Sequence, residues 1–278
     1  MGLGGTIIAD LMIMKYMVSN RRPWTMGYGE YKERAIHNIL NSHGLLNSFL
    51  HNKPLPAKYG FRIDERIVEY PWLFSRLGVK KNMLLDAGSA LNHKNILSLP
   101  ALKSRSIVIY NLSAENIFKN TNISYVYGDL RNTILKDDIF DEIACISTLE
   151  HIGMDNTFIY SKDERFNESR SDDYKTAIKE FKRLLKPGGK LFITVPYGCY
   201  ENHGWLQQFD CNMIKEVLQS FNSSASVVVY YKYSSDGWQI SDSEECADCS
   251  YFNIHNRPDY EPDYVAAARS VACIEMVK

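Results

Sequence analysis

From residue 80 onward, the chain alternates short apolar runs with stretches of helical periodicity. Five runs are predicted to be strands: Met83–Leu85, Ser106–Tyr110, Ile123–Val126, Glu142–Ile146 and Lys190–Val195. Runs that are apolar on both faces are typical of parallel strands in a sheet covered by helices on both sides. Two later runs, Ser226–Tyr231 and Ala272–Val277, predict further strands. The alternation therefore predicts the α/β class.

The helices between these strands are indicated by their periodicity and end signals. Between the fourth and fifth strands, Asp172–Leu185 places its apolar residues at helical spacing. Ser171 is the expected N-cap of this helix, and Gly188 is expected to end it. Asp210 is the expected N-cap of a further helix.

The first 77 residues lack the alternation of strands and helices seen after residue 80. Their periodicity predicts a mainly helical extension. Helical periodicity runs from Glu30 to about Leu50, and a second short helix is expected from Asp64 to Leu77, bent by Pro71. We therefore expect two units, residues 1–77 as an extension or lid and residues 78–278 as the α/β domain.

Composition excludes several classes of protein. The 278 residues include 32 Lys and Arg against 33 Asp and Glu, a net charge of −1. Such a balance argues against a strongly basic nucleic-acid binder, so no nucleic-acid partner is expected. The apolar stretch Ile7–Val18 is too short to span a bilayer and holds Asp10 and Lys15. With no secretory signal in the sequence, the cytoplasm is the expected location.

The six cysteines do not form a recognisable framework. Their spacing is irregular, and Cys246-Ala247-Asp248-Cys249 is a lone CxxC pair without a second knuckle. A structural zinc site needs four ligands, so no metal is expected and buried thiols are favoured.

The first predicted strand runs directly into the turn Asp86-Ala87-Gly88-Ser89. Doubly wound sheets bind ligands at such strand ends. A dinucleotide site would require G-x-G-x-x-G so that the backbone can approach a pyrophosphate, whereas this turn contains only one glycine. The single glycine disfavours a nicotinamide or flavin dinucleotide and favours a ligand such as S-adenosylmethionine.

Five motifs in order at the predicted strand ends give the chain a recognisable resemblance. They are Leu84–Ser89, Ile109–Ser113, Gly128–Leu130, Ser147–Ile152 and Leu185–Lys190. Together they resemble a class I S-adenosylmethionine-dependent methyltransferase over roughly residues 80–278. The resemblance implies a Rossmann-like, doubly wound sheet of seven strands, mostly parallel with an antiparallel late strand. It also implies S-adenosyl-L-methionine as the cofactor.

The resemblance assigns the first and second strand ends to one half of the cofactor. Gly88, with Ala87 and Ser89, would approach the methionine part, and Asp86 would accept a hydrogen bond from its amino group or from a water. Asn111 stands where the family has an acidic residue that binds both ribose hydroxyls, with Leu112 beside it. This departure removes a charge-assisted hydrogen bond.

The third and fourth strand ends are assigned to the adenine side. Asp129 would accept a hydrogen bond from the adenine amino group, with Gly128 and Leu130 beside the ring. Ser147 and Leu149 would line the floor of the cleft. An Asx turn is the alternative role of Asp129.

The sequence offers two histidines as catalytic bases. His151 follows the fourth strand, and His203 lies in the loop after the fifth, which also contains Tyr197 and Tyr200. A histidine can exchange protons near neutral pH, and we expect His203 ahead of His151. For His151 the alternative is a hydrogen-bonded histidine that fixes its loop. For His203 it is a histidine of a surface loop.

The extension contains aromatic and charged clusters that resemble substrate lids of methyltransferases. Trp24–Lys32 includes Tyr28 and Tyr31 as expected substrate contacts, and Asp64–Trp72 is the second cluster. More loosely, they resemble methyltransferases of bacterial surface-carbohydrate gene clusters. A helical cap with a solvated face is the alternative.

The resulting hypothesis is a methyltransferase acting on a small-molecule acceptor. We expect O-methylation of a sugar or a capsule or lipopolysaccharide precursor, phosphorylated or not. Amino-methylating nucleic-acid enzymes resemble each other in an Asn/Asp-Pro-Pro-Tyr/Phe motif after the fourth strand. This sequence has Ser147-Thr148-Leu149-Glu150 at that position, which argues against such an enzyme. A catalytically inactive methyltransferase-like subunit that binds a protein partner is the alternative, and a nicotinamide-dependent dehydrogenase is a third hypothesis. The sequence determines neither the acceptor, nor O- against N-methylation, nor whether the chain forms a homo-oligomer.

Overall fold

The computed structural model of the protein describes residues 3–78, 82–160, 163–257 and 259–278. The helices are α1 Leu3–Val18, α2 Tyr28–Leu40, α3 His43–Leu50, α4 Arg66–Arg76, α5 Lys94–Leu97, α6 Pro100–Lys103, α7 Tyr174–Leu184, α8 Cys211–Phe221 and α9 Ser243–Cys246. The strands are β1 Met83–Ala87, β2 Ser106–Asn111, β3 Ile123–Tyr127, β4 Phe140–Ile146, β5 Leu185–Pro196, β6 Glu201–Asn202, β7 Gln207–Gln208, β8 Ala225–Ser234, β9 Gly237–Ser241 and β10 Ser270–Val277. Short 3-10 turns cover Leu149–His151 and Glu164–Phe166.

Eight strands of the described chain form one sheet in the order β3-β2-β1-β4-β5-β10-β8-β9. β1 to β5 are parallel, β10 is antiparallel to β5 and β8, and β9 is antiparallel to β8. The strand order reverses beside β1, as in doubly wound Rossmann-like sheets, so the predicted fold is confirmed. The sheet has eight strands rather than seven because Gly237–Ser241 folds back on β8 as a hairpin.

The register of the parallel strands brings their carboxyl ends to one edge of the sheet. Ala87 pairs with Tyr110, Asn111 pairs with Tyr127, and Ile146 pairs with Thr194. The segments that follow β1, β2, β3, β4 and β5 therefore meet at this edge, which is where ligands bind in open α/β sheets.

The N-terminal helices pack on one face of the sheet and share its hydrophobic core. Ile36 of α2, Phe49 of α3 and Trp72 of α4 belong to the same buried cluster as Leu84 and Ile107 of the sheet. The opposite face is covered by α7 and α8. The helical character predicted for residues 1–77 is observed within residues 3–77, and the status of the extension as a separate unit stays a prediction.

Helix boundaries differ from the predicted ones where capping decides them. The segment predicted as one helix from Glu30 to Leu50 is two, because the chain turns after Leu40 and the Ser42 hydroxyl caps α3 by accepting from the Leu45 N–H. Asp210 caps α8 as predicted, accepting from the backbone of Asn212 and Met213.

The prediction that Ser171 caps α7 is wrong. The helix begins at Tyr174, and Asp173 at its N-cap position makes no side-chain cap. The Ser171 carbonyl instead accepts a hydrogen bond from the Gln207 side chain at 2.7 Å. Ser171 therefore connects the start of α7 to the loop after β5.

Two further features bear on the classes considered from the sequence. No helix in the described parts of the chain is both long and apolar enough to cross a membrane. Among the same residues, no group of three or more His, Cys, Asp and Glu side chains is arranged to hold a metal ion. Cys246 and Cys249 are buried, with free thiols.

Candidate active site

The turn after β1 presents an unsatisfied acceptor and a closely packed glycine. Asp86 is fully buried; its Oδ2 accepts from the Leu91 N–H at 2.9 Å, while Oδ1 has no hydrogen-bond partner in the described structure. Burial raises the pKa of Asp86 to about 7. Gly88 has φ +104°, and a Cβ there would lie 2.1 Å from Thr148 Oγ1, so no side chain fits.

The end of β2 carries Asn111, which is 3% exposed and fully engaged. Its amide donates to a carboxylate oxygen of Glu115 at 2.7 Å and to the Ser113 carbonyl at 3.2 Å. Its carbonyl oxygen accepts from the Tyr160 hydroxyl at 2.9 Å. Asn111, which replaces the acidic residue expected at this strand end, is thus part of a hydrogen-bond network that includes the carboxylate of Glu115.

The segment after β3 contains a glycine packed closely against Tyr110 and a carboxylate, Asp129, paired with an arginine. A Cβ at Gly128 would lie 2.4 Å from the Tyr110 hydroxyl oxygen, so only glycine fits beside that ring. Asp129 is bound by Arg131, with Nε 2.9 Å from Oδ1 and Nη2 2.5 Å from Oδ2. Burial opposes ionisation of Asp129, but these hydrogen bonds outweigh it and lower its pKa.

These three strand ends surround a small cavity of about 60 Å³, here named the inner cleft. Its lining includes six of the residues predicted to bind the cofactor: Gly88, Asn111, Leu112, Gly128, Asp129 and Leu130. Tyr160 and His151 also line it. The structure therefore brings together residues that are up to 42 positions apart in the sequence, and Tyr160 reduces the space between them.

The segment after β4 places two titratable side chains at the edge of the sheet. Ser147 has a left-handed backbone, φ +43°, and its hydroxyl donates to Glu150 Oε1 at 2.6 Å. Glu150 is 1% exposed and its Oε2 has no partner among the described residues. Burial raises the pKa of Glu150 to about 8, whereas burial lowers that of His151 to about 4.

A larger cavity of about 460 Å³, here named the aromatic cavity, opens beside these residues. Its aromatic wall comes from the N-terminal extension, the loop after β5 and the segment before β10: Trp24, Trp205, Tyr251, Phe252 and His255. Ser147, Glu150 and His151 form its polar side. His151 lines both the aromatic cavity and the inner cleft, so the two spaces meet at this imidazole.

The start of α4 adds charge to the aromatic cavity. Glu65 and Arg66 line it, and the Arg66 guanidinium pairs with Glu69, which also accepts from the Thr194 hydroxyl at 2.6 Å. Burial raises the pKa of Glu65 to about 8, and the charges of Asp64 and Glu69 add to this effect. Two carboxyl groups with high pKa values thus face one cavity.

A third cavity of about 850 Å³ lies between α2 and the turn after β1. Lys32, Arg66, Tyr70, His93 and Glu115 are among its lining residues. Arg66 borders both this cavity and the aromatic cavity. The wall between the two is therefore built from the N-terminus of α4.

The remaining predicted cofactor residues lie behind the two spaces rather than on their surfaces. Ala87 and Leu149 are fully buried in the core, and Ser89, 7% exposed, donates its hydroxyl to Glu115 at 2.7 Å. Asp86 is enclosed behind the glycine turn. Their roles toward a cofactor stay predictions.

His203 lies behind the wall of the aromatic cavity rather than on its described lining. Its Nε2 is 3.0 Å from Glu201 Oε2, and the same oxygen accepts from the Tyr251 N–H at 2.9 Å. The His203 ring packs against Tyr251, with 5.2 Å between ring centroids. His203 thus contacts a residue of the cavity, and its catalytic role stays a prediction.

The four tyrosines predicted to contact the substrate lie outside the described linings of these cavities. Tyr28 is buried and its hydroxyl donates to Asp64 at 2.8 Å, and Tyr31 packs on Tyr16. Tyr197 is buried and donates to the Ser243 carbonyl at 3.3 Å, and Tyr200 is exposed. Substrate contact by any of them stays a prediction.

Several residues of the site were not singled out from the sequence. Glu150 stood beside His151 in a motif already noted, and Glu65 and Arg66 stood in the charged cluster Asp64–Trp72. Tyr251 and His255 carried no local signal, because their segment lies 100 residues from β4 and only the sheet order brings it there.

Comparison with known proteins is consistent with this geometry. Residues 87–193 match the family model described as a methyltransferase domain, which covers less than half of the chain. No curated protein matches the sequence.

The solved structures that the chain resembles share little sequence with it. One is the 1,6-didemethyltoxoflavin-N1-methyltransferase of Burkholderia thailandensis, at 12% identity over 99% of this chain and 88% of that one, TM-score 0.44. A second is an S-adenosylmethionine-dependent methyltransferase of Mesorhizobium loti, at 13% identity over 76% and 97%, TM-score 0.45. A third is the [4+2]-cyclase SpnF, at 16% identity over 89% and 96%, TM-score 0.43.

The fold and the matched domain define the class of the protein. The chain carries a methyltransferase domain on a Rossmann-like sheet; it is an enzyme of the methyltransferase class, and its cofactor is S-adenosylmethionine. The residues present fit this cofactor: Asp86 has an unpartnered buried oxygen, Gly88 and Gly128 admit no side chain, and Asp129 retains acceptor capacity beside Arg131. Tyr160 lines the inner cleft, whose volume is about 60 Å³.

Proposed function

We propose that the protein transfers the methyl group of S-adenosylmethionine to a hydroxyl group of a small polar acceptor held in the aromatic cavity. The acceptor class that fits best is a sugar or a related precursor of surface carbohydrate. The observation that carries the proposal is the shared wall: His151 borders both the inner cleft and the aromatic cavity. An acceptor in the aromatic cavity would therefore meet the bound cofactor beside this residue.

The polar side of the aromatic cavity suits a hydroxyl acceptor. The cofactor supplies a methyl group on a positively charged sulfur, and transfer to a hydroxyl requires that the hydroxyl lose its proton. Glu150, with a pKa raised to about 8 and a free Oε2, is the group that we assign as the base. A general base is most effective when its pKa lies near the working pH.

His151 is suited to orient the hydroxyl rather than to remove its proton. Its Nδ1 lies 2.8 Å from the Trp205 carbonyl oxygen, which can only accept. Nδ1 therefore carries the hydrogen, and Nε2 is left as an acceptor for a hydroxyl donor. With a pKa of about 4, this nitrogen is a weak base but a stable hydrogen-bond acceptor at neutral pH.

The walls favour an uncharged, hydroxyl-rich acceptor over a phosphorylated one. Trp24, Trp205 and Tyr251 offer apolar ring surfaces, with a few convergent polar groups between them, as small-molecule sites do. Among the described residues that line the aromatic cavity, one is a lysine or arginine, namely Arg66. Its guanidinium already pairs with Glu69. A phosphate would compete with that buried carboxylate for the same guanidinium.

The test is methyl transfer from S-adenosylmethionine labelled in its methyl group. Purified protein is incubated with uncharged sugars and glycosides, and with sugar phosphates, nucleotide-activated sugars and amines of similar size, and labelled product and S-adenosylhomocysteine are measured. We expect transfer to an uncharged hydroxyl compound, reduced in Glu150→Gln and His151→Gln and retained in His51→Gln, at an exposed histidine outside the described cavity linings. Transfer to amines alone would overturn the proposed acceptor class.

One observation favours a second function, the inactive subunit that binds a protein partner. Helix α1 exposes several large apolar side chains, among them Ile8 at 61%, Leu11 at 61% and Met14 at 64%. A contiguous apolar surface of this kind is typical of an interaction site. Failure of the protein to bind S-adenosylhomocysteine, together with co-purification of a partner lost in Leu11→Glu, would support this second function.

A further inference from the structure

The carboxylate of Glu115 connects the turn after β1 to the end of β2. Oε1 accepts a hydrogen bond from the Asn111 amide at 2.7 Å, and Oε2 accepts one from the Ser89 hydroxyl at 2.7 Å. Both donors are almost fully buried, whereas Glu115 itself is exposed on the irregular segment after β2. A charged group is therefore fixed between two strand ends by two buried neutral partners.

Glu115 belongs to the described lining of the third cavity rather than to that of the inner cleft, and its partners differ from those of the carboxylates in the cleft. Asp129 and Glu168 line the cleft, and both pair with Arg131. The partners of Glu115 in the described structure are a hydroxyl and an amide, which leave its negative charge uncompensated. Its charge adds to the effect of burial in raising the pKa of Asp86, and likewise that of Tyr160. The charge of Glu115 is therefore felt by Asp86 after β1 and by Tyr160 in the inner cleft.

The resemblance to methyltransferases implies that the two adjacent hydroxyl groups of the ribose lie at the end of the second strand. A carboxylate accepts from both hydroxyls at once and forms stronger, charge-assisted hydrogen bonds, which a neutral amide cannot. Asn111 has one neutral acceptor oxygen, because its amide nitrogen can only donate. Asn111 by itself is therefore a poor partner for a diol.

We infer that Glu115 provides the carboxylate that binds the ribose hydroxyl groups of the cofactor, with Asn111 and Ser89 as the residues that position it. The negative charge missing at the end of β2 is then supplied from four residues further along the chain. This inference rests on the assignment of S-adenosylmethionine as the cofactor.

The experiment is calorimetric titration with S-adenosylhomocysteine of wild-type protein, Glu115→Gln, Asn111→Asp and the double variant. We expect Glu115→Gln to bind about 10- to 100-fold more weakly, which is the loss of one hydrogen bond to a charged group. Asn111→Asp alone brings two carboxylates together and weakens binding. The double variant moves the charge to the strand end and regains most of the affinity. Glu244→Gln, at an exposed glutamate of α9, is the control and leaves affinity unchanged.

Two comparisons of ligands decide between ribose binding and other effects of the charge. We expect the wild type to bind the 2′-deoxy analogue more weakly than S-adenosylhomocysteine. Glu115→Gln should bind the two ligands with nearly equal affinity. This comparison holds even if the variant is less stable, because reduced folding affects both ligands equally. S-adenosylmethionine and S-adenosylhomocysteine are weakened by the same factor. A larger loss for the positively charged S-adenosylmethionine would mean attraction to the sulfonium and would overturn the inference.

The outcomes separate this inference from the cofactor assignment. Wild-type protein that binds S-adenosylhomocysteine while Glu115→Gln binds equally well overturns the role of Glu115 alone. Wild-type protein that binds neither adenosyl ligand overturns the assignment of the cofactor and the inference with it. Failure of the double variant to recover, with its thermal unfolding unchanged, shows that the carboxylate does not act at the ribose.

Discussion

The Nδ1 atom of His151 lies 2.8 Å from the carbonyl oxygen of Trp205. Because the carbonyl can only accept, this contact fixes the tautomer of the imidazole with its hydrogen on Nδ1. The Trp205 ring also packs on the imidazole, with 5.3 Å between centroids. The loop after β5 thus fixes the ring at which the two spaces of the site meet.

The first prediction concerns the protonation of His151. Burial lowers its pKa to about 4, so the folded state disfavours the proton that the unfolded chain binds near pH 6.5. The stabilising contribution is complete above pH 6.5 and is lost as the pH falls from there toward 4, by about 1.4 kcal/mol per unit. Nitrogen-15 NMR should show the neutral Nδ1–H form at pH 6, and a signal of protonated imidazole at pH 6 would contradict this.

The second prediction concerns the pH dependence of methyl transfer. If Glu150 is the base, it must be ionised, so the rate rises with pH, about tenfold per unit, up to its pKa of about 8 and is level above it. Glu150→Gln lowers the rate by about 10²-fold or more and removes the slope. The measurement is the initial rate from pH 6 to 9 at saturating cofactor, with His51→Gln, at an exposed histidine, as the control that keeps the slope.

Glu150 also affects folding, and this effect has the opposite sign from its effect on the rate. Its folded-state pKa is raised, so the folded protein holds a proton that the unfolded chain releases above about pH 4.5. Stability therefore falls as the pH rises toward 8. Thermal unfolding of Glu150→Gln should depend less on pH over this range. An equal dependence in both proteins would show that Glu150 is already ionised at pH 6.

The sheet could be predicted because its strands are continuous apolar runs. All seven predicted strands are present, with ends shifted by at most a few residues except at the start of β5. The eighth strand, Gly237–Ser241, was missed although Asp236-Gly237 is a turn sequence typical of hairpins. The strand itself includes Gln239 and Ser241, whose polarity hid it.

The residues of the inner cleft could be predicted because each follows directly after a strand that the sequence identifies. Gly88, Asn111 and Asp129 come together at the inner cleft because parallel strands end at one edge. The aromatic cavity could not be predicted in the same way, because its wall combines residues from three distant segments. Tyr28 illustrates the limit: an aromatic residue in a charged cluster fits a lid, but its hydroxyl is buried against Asp64.

The third prediction concerns Gly88. Any side chain there must adopt φ +104° and displace Thr148, whose Oγ1 would lie 2.1 Å from the new Cβ. Gly88→Ala should therefore lower the free energy of unfolding by roughly 2–4 kcal/mol, from backbone strain and overpacking together. It should also abolish binding of S-adenosylhomocysteine. The control is Gly29→Ala, where a Cβ meets nothing within 4 Å and stability should not fall.

The last prediction concerns Tyr160, whose hydroxyl donates to Asn111 at 2.9 Å and whose side chain lines the inner cleft. We expect a cofactor that enters the inner cleft to break this contact, so that the wild type binds with its intrinsic affinity reduced by the fraction of open molecules. Tyr160→Phe removes a hydrogen bond worth about 0.5–1.5 kcal/mol and should tighten binding of S-adenosylhomocysteine by about 2- to 12-fold.

The control for Tyr160 is Tyr200→Phe, at an exposed tyrosine, which should leave the affinity unchanged. Weaker binding by Tyr160→Phe would mean that the hydroxyl contacts the cofactor rather than competing with it. Because most substitutions near a ligand weaken binding, a gain of affinity is a result that general damage to the site cannot produce. Calorimetric titration of both variants at one ionic strength measures it directly.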